Sequence, residues 1–196
     1  MSDRLPITQP STDEILTPVE AELLLARFYE PGTSLSVLLL KHSRSVADKA
    51  AEINSRKALG LDEDMVRAAA LLHDIGIFLT DAPGIHCHGP EPYIRHGVLG
   101  AALLRDTGAP EWAARVAERH TGAGITAAEI AEKHLPLPPM DLVPETLLEK
   151  LICYADKFYS KSGDMQQKSI ERIRASISRH FPESLERFET LHILFA

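Results

Sequence analysis

Arg67-Ala-Ala-Ala-Leu-Leu-His-Asp-Ile-Gly76 decides how this chain is read. Alanine and leucine dominate it, and both are strong helix formers. The run ends on an imidazole and a carboxylate side by side, His73 and Asp74. Core packing has no use for that pair, because burying a polar or charged group without a partner is costly. A cation lying against both groups would remove the cost. Asp62 stands where an N-cap belongs, ahead of Met65, Val66, Ala69 and Leu72. Gly76 is placed to terminate the helix.

Outward from this segment the chain reads as further helices. Val19–Glu30 is a short one, stopped by Pro31-Gly32, and Leu35–Ala58 a longer one, ended by Leu59-Gly60. Tyr93–Thr107 follows, with Gly108 as its stop, and Pro110 opens another through Trp112 and Val116 to His120. Thr126-Ala-Ala-Glu129 and Thr146-Leu-Leu-Glu149 are capping-box patterns, opening helices to about His134 and through Asp156. Met165, Ile170, Ile173, Ile177 and then Leu185, Phe188, Leu191 keep helical spacing, broken at Phe181-Pro182. Thr80–Pro92 and the proline-dense Leu135–Pro144 are connectors. Residues 1–17 form an irregular lead-in and 18–196 a single domain. Strand alternation is nearly absent. The expected fold is all-α, a bundle of roughly seven to nine helices.

The 196 residues carry 21 Lys and Arg against 28 Asp and Glu, a net charge of −7 with no long basic run. Broad phosphate-backbone contact needs a clustered positive face, so nucleic acid is not the expected partner. A local basic pocket for one small phosphate ester is compatible with this balance. Two cysteines, Cys87 and Cys153, cannot build a disulfide framework, which points to a reducing, cytoplasmic setting. No leader pattern opens the chain, and no apolar stretch is long enough to span a bilayer, so no membrane is expected.

Further metal-capable side chains flank the central pair. His42 lies in the second helix, His96 near the start of its helix, His120 at the end of its own, and Asp156 after Leu151-Ile-Cys-Tyr-Ala155. Several helices could bring such groups to one point, as bundle metal sites do. Imidazoles with carboxylates suit transition ions better than calcium. Six donors are too many for one tetrahedral site, so two ions sharing Asp74 are expected. One would take His42, His73, Asp74 and Asp156; the other Asp74, His96 and His120. Iron is the first choice, with manganese, nickel or zinc accepted by the same donors.

The order His42, then Leu72-His73-Asp74-Ile75-Gly76, then Ala155-Asp156, on a helical chain, resembles the HD superfamily of metal-dependent phosphohydrolases. His96 and His120 look like its two-metal branch, which includes HD-type diadenosine tetraphosphate hydrolases and HD-GYP phosphodiesterases. Arg95-His-Gly-Val-Leu-Gly-Ala101, Glu118-Arg-His-Thr-Gly-Ala-Gly-Ile125 and Ala155-Asp-Lys157 are similar to small HDIG-type prokaryotic hydrolases common in archaea. The resemblance covers roughly residues 35–160. Two departures stand out. Ile77 follows the motif where many relatives carry Lys or Arg, and no Gly-Tyr-Pro signature is present.

The resemblance implies an enzyme in which a metal-bound hydroxide attacks a small phosphomonoester or a nucleotide-like phosphodiester or anhydride, with Asp74 at the catalytic centre. Cations near the ligands would hold the substrate phosphate. Of Arg44, Arg95, Arg119 and Lys157, helical rotation lets only some face the site, and Arg95 and Lys157 are the expected pair. His86 and His88 are read as an exposed loop, with a ligand role or substrate contact over the site as the alternative. Cys87 between them is read as an inert free thiol, and His134, His180 and His192 as structural or solvated. The Ile170, Ile173, Ile177 stripe is core or a subunit contact, which leaves a homo-oligomer open. Two rivals remain: a di-iron oxygenase of the same superfamily, and a non-catalytic ligand-binding module.

Overall fold

The computed structural model describes residues 16–161, 165–180 and 182–196. The helices are α1 Pro18–Leu25, α2 Ser34–Arg56, α3 Glu63–Leu72, α4 His96–Asp106, α5 Glu111–Arg119, α6 Ala127–Glu132, α7 Leu147–Asp156, α8 Ile170–His180 and α9 Leu185–Phe195. These nine helices make the fold all-α in character among the described residues, and none is long and apolar enough to cross a membrane.

Local chemistry sets most boundaries. Asp62 accepts from the Met65 amide and opens α3. Reciprocal capping boxes open α6 at Thr126/Glu129 and α7 at Thr146/Glu149. A third, Thr17/Glu20, opens α1. Of the expected lead-in, residues 1–15 lie outside the described residues, whereas Thr17 already belongs to a helix cap. The α1 helix ends at Leu25, short of the expected Glu30. Phe181 of the expected break lies outside the described residues; Pro182–Ser184 form a 3-10 turn leading into α9.

The 80–92 connector holds a small sheet that the sequence reading did not anticipate. Strand β1, Thr80–Ala82, pairs antiparallel with β2, Cys87–His88, and parallel with β3, Glu91–Pro92. Two- and three-residue strands are too short for alternation to register. The helix expected from Tyr93 begins at His96, because Tyr93–Arg95 is a 3-10 turn.

Gly76 is a second correction. It does not end α3, which stops at Leu72 with His73 as C-cap. Its φ is −87°, open to any residue. What needs glycine is space: a Cβ there would lie 2.3 Å from the His96 carbonyl oxygen and 2.4 Å from the Gly100 amide nitrogen. The backbone after His73–Asp74 therefore lies directly on α4. Gly97 does the same on the other side, where a Cβ would meet the Ala117 carbonyl of α5 at 2.6 Å. These two contacts pin the start of α4 between the Asp74 turn and α5.

Helix α7 lies against α2, α3, α5 and α9. Its Leu148, Leu151, Ile152, Cys153 and Ala155 are buried. The alanine run of α3, Ala68–Ala70, is buried too, which allows close approach of its neighbours. Ile173 and Ile177 of the α8 stripe are buried in the main core.

Candidate metal centre

Each predicted donor stands at a position the helices fix. His42 lies within α2, His73 caps α3 and Asp74 follows it, His96 opens α4, His120 caps α5, and Asp156 ends α7. All six are buried. Three of the imidazoles are oriented in the same way. His73 Nδ1 lies 2.6 Å from the Ala70 carbonyl, His96 Nδ1 2.7 Å from that of Tyr93, and His120 Nδ1 2.7 Å from that of Ala117. A carbonyl only accepts, so Nδ1 donates and Nε2 is directed inward. Tyr93 also stacks on the His96 ring, with centroids 4.6 Å apart.

The structure brings all six residues together as two donor sets sharing Asp74. In each set the donor atoms lie within 4.8 Å of one another. In the first, His42 Nε2 is 3.3 Å from His73 Nε2, 3.0 Å from Asp156 Oδ1 and 3.3 Å from Asp74 Oδ2. His73 Nε2 is 3.1 Å from the same Asp74 Oδ2. In the second, His96 and His120 Nε2 are 3.0 Å apart, and 3.6 and 3.4 Å from Asp74 Oδ1. One oxygen of Asp74 faces each set.

Donors at about 2.1 Å from one ion lie about 3.0–3.4 Å from each other, close to these spacings. Hydrogen bonding alone accounts poorly for them. With Nδ1 donating, neutral His96 and His120 present two acceptor nitrogens to each other, and neither oxygen of buried Asp74 accepts a well-directed hydrogen bond. The donor set fits divalent transition cations.

Charge differs across the centre. Burial opposes a charge on His73, but Asp74 and Asp156 outweigh it and lift its pKa to about 9. Burial, reinforced by His120, pushes His96 down to about 3, and burial also lowers His120. Burial would raise Asp74 and Asp156. For Asp74 the charges of His73 and Lys161 prevail; for Asp156 Lys157 and hydrogen bonds from His42 and His73 do. Both carboxyls stay well below the usual range.

Two lysines complete the surroundings. Lys157 Nζ lies 2.7 Å from Asp156 Oδ2 and donates to the His120 carbonyl at 3.1 Å. Lys161, which the sequence reading missed, places Nζ 2.6 Å from Asp74 Oδ2. No local motif marks it; only the turn of the chain after α7 carries it back. A cavity of about 540 Å³ opens over His96, His120 and Asp156. A neighbouring one of about 430 Å³ reaches Lys168, and both are lined by Tyr93, Gly122, Lys157 and Lys161.

The arginines go elsewhere. Arg95 pairs with Glu91 and lines neither of these cavities. Arg44 pairs with Glu22, and Arg119 with Glu145 and the Val143 carbonyl. His86 takes a left-handed conformation in the sheet turn, with Cys87 buried behind it. His192 meets the Tyr154 hydroxyl at 2.8 Å and belongs to neither donor set.

The helical fold and its His/Asp centre are those of a metal-binding HD domain, and the model of the HD domain family matches residues 39–160. The chain belongs to this family, whose members are generally metal-dependent hydrolases. Among its relatives, an uncharacterized protein of Methanocaldococcus jannaschii is 42% identical over 121 residues, 60% of this chain and 64% of that protein. A tRNA (cytidine(56)-2'-O)-methyltransferase of Thermoplasma volcanium is 34% identical over 79% of this chain and 40% of its own length. The same-named enzyme of Picrophilus torridus is 37% identical over 68% and 35%. The chain thus spans less than two thirds of the length of these relatives. Among solved structures, the HD domain of the L. monocytogenes phosphodiesterase PgpH superposes with a TM-score of 0.51 at 16% identity, over 85% of this chain and 96% of that one. At that identity the likeness is one of fold.

Proposed function

We propose that this protein is a two-metal phosphohydrolase acting on a small phosphomonoester or a nucleotide-like phosphodiester or anhydride. The observation that carries the reading is Asp74, buried, with Oδ2 toward one donor set and Oδ1 toward the other. His42, His73, Asp74 and Asp156 would hold one ion, and Asp74, His96 and His120 the second. Iron is the first choice, with manganese, nickel and zinc as the alternatives these donors accept. Bound there, divalent ions would make a water acidic near neutral pH and offset charge on phosphoryl oxygens.

The chain's own residues prepare the site for that chemistry. The Nδ1 bonds of His73, His96 and His120 fix each ring before anything binds. Asp74 is the shared carboxylate on which both halves depend. Lys157, anchored beside Asp156 and facing both cavities, is placed to hold a substrate phosphate. Arg95, expected to share that task, is engaged by Glu91. RNA methylation is not proposed, because the chain covers a minority of the methyltransferases' length.

Protein purified without chelator should contain close to two transition ions per chain by elemental analysis. With that metal, it should release inorganic phosphate from members of a phosphoester and nucleotide panel under anaerobic conditions. Oxygen uptake coupled to turnover, with no phosphate released anaerobically, would mark it as an oxygenase instead. Folded, metal-loaded protein inert across the panel would leave only a binding module.

A further inference from the structure

We propose that Lys161 is a movable counter-cation: it neutralises Asp74 when no metal is bound and becomes a phosphate-binding group of the cavity once metal takes that carboxylate oxygen. This deepens the metal-site reading and rests on it. The ammonium lies 2.6 Å from Asp74 Oδ2, and Asp74 is fully buried. That oxygen is also the one that faces His42 at 3.3 Å and His73 at 3.1 Å. A divalent ion seated between those donors and the ammonium would contend for one oxygen. Repulsion between cations at such separations is strong away from bulk water.

The displaced ammonium has somewhere to go. Lys161 lines both cavities over the cluster and lies in the non-helical segment after α7, so no helix face fixes its side chain. Lys157 differs: its ammonium meets Asp156 Oδ2, not the Oδ1 that faces His42 and His73, and it also donates to the His120 carbonyl. Tyr93, stacked on His96, lines the same cavities and interacts with the Lys161 ammonium. The residue directly after the His-Asp-Ile-Gly run offers no cation, because Ile77 is an uncharged hydrocarbon side chain, buried in the core. A lysine released from Asp74 would meet an incoming phosphate beside Lys157, giving the anion two cationic contacts.

The test compares wild type with Lys161→Met and Lys161→Gln. Metal-stripped protein is titrated with manganese by calorimetry, and metal-loaded protein with inorganic phosphate. Without the competing charge, both variants should bind the first manganese about tenfold more tightly, the scale of one charge-assisted contact. Metal-stripped Lys161→Met should melt at a lower temperature. Phosphate affinity of the loaded variants should fall about tenfold, and Lys161→Arg should restore it. Manganese affinity unchanged or weaker in both variants would overturn the competition. Phosphate affinity within twofold of wild type would overturn the second role. If wild type took up no metal at all, the failure would lie with the metal-site reading itself.

Discussion

The two halves of the buried cluster are balanced by different means. The first, around His42 and His73, contains both carboxylates, a histidine whose pKa is raised to about 9, and lysine ammonium groups at 2.6 and 2.7 Å from Asp74 and Asp156. It is a network of opposite charges in contact. The second, His96 and His120 on Asp74 Oδ1, is made of imidazoles kept neutral by burial, with Nε2 atoms 3.0 Å apart. Two facing lone pairs do not attract. Packing holds them there: the Gly76 turn on α4, Gly97 on α5, and the Nδ1 bonds behind each ring. One half is held by charge and the other by backbone fit.

The largest effects should come from side chains that separate the halves. Asp74→Asn removes the carboxylate common to both, and bound metal should fall toward zero with phosphate release lost. His96→Ala or His120→Ala should lower metal from two ions toward one per chain while the first half keeps its ion. Such changes should also abolish turnover, because transition-state charge would then have one cation fewer. Elemental analysis of the three variants is the check. Equal metal loss in all of them would mean the halves are not separable.

Backbone fit gives the next test. Gly76→Ala adds one methyl group against the His96 carbonyl and the Gly100 amide. Neither neighbour is a flexible side chain, so the turn and α4 must move apart. Overpacking of this kind costs about 1–3 kcal/mol, occasionally more. The second half should suffer first, with metal stoichiometry falling toward one before the fold is lost. Gly84→Ala, where a Cβ meets nothing within 4 Å, is the control and should change the melting temperature little. Denaturant unfolding together with metal analysis separates the two outcomes.

This contrast also explains what the sequence could reveal. Helices with strong local instructions were legible: Asp62 before α3, and the capping boxes of α6 and α7, fix starts through contacts three residues long. The six residues that cluster were legible as candidates because polar residues interrupting apolar helical sequence are conspicuous. Gly76 was misread, since a glycine after a helix looks the same whether it ends the helix or admits a neighbouring backbone. The sheet of 80–92 was invisible because its pairings join residues through short strands with no alternation. Lys161 was invisible for a related reason: its partner Asp74 is distant in sequence, and a lone lysine in a connector carries no local mark. Arg95 had the right neighbourhood but a closer acid, Glu91, four residues back in β3.

The smallest effect sharpens the comparison through pH. His96 falls from the ordinary 6.5 to about 3 on folding, so between those values the unfolded chain binds a proton that the folded one refuses. That contribution is complete above pH 6.5 and is lost as pH falls. His73 rises from 6.5 to about 9, so its contribution is complete below pH 6.5 and is lost as pH rises through 9. Metal-stripped protein should therefore be most stable near pH 6.5, with the acid limb between pH 4.5 and 6.5 belonging to the second half and the alkaline limb to the first. Below that window the lowered carboxyls of Asp74 and Asp156 join the acid loss. Metal bound at His73 replaces its proton, so the alkaline limb should vanish from loaded protein while the stripped form keeps it. His96→Gln should flatten the slope between pH 4.5 and 6.5 and leave the alkaline side alone. Melting temperature followed against pH, stripped and loaded, reads both limbs. An alkaline limb of equal depth in the two forms would place the titrating group outside the cluster.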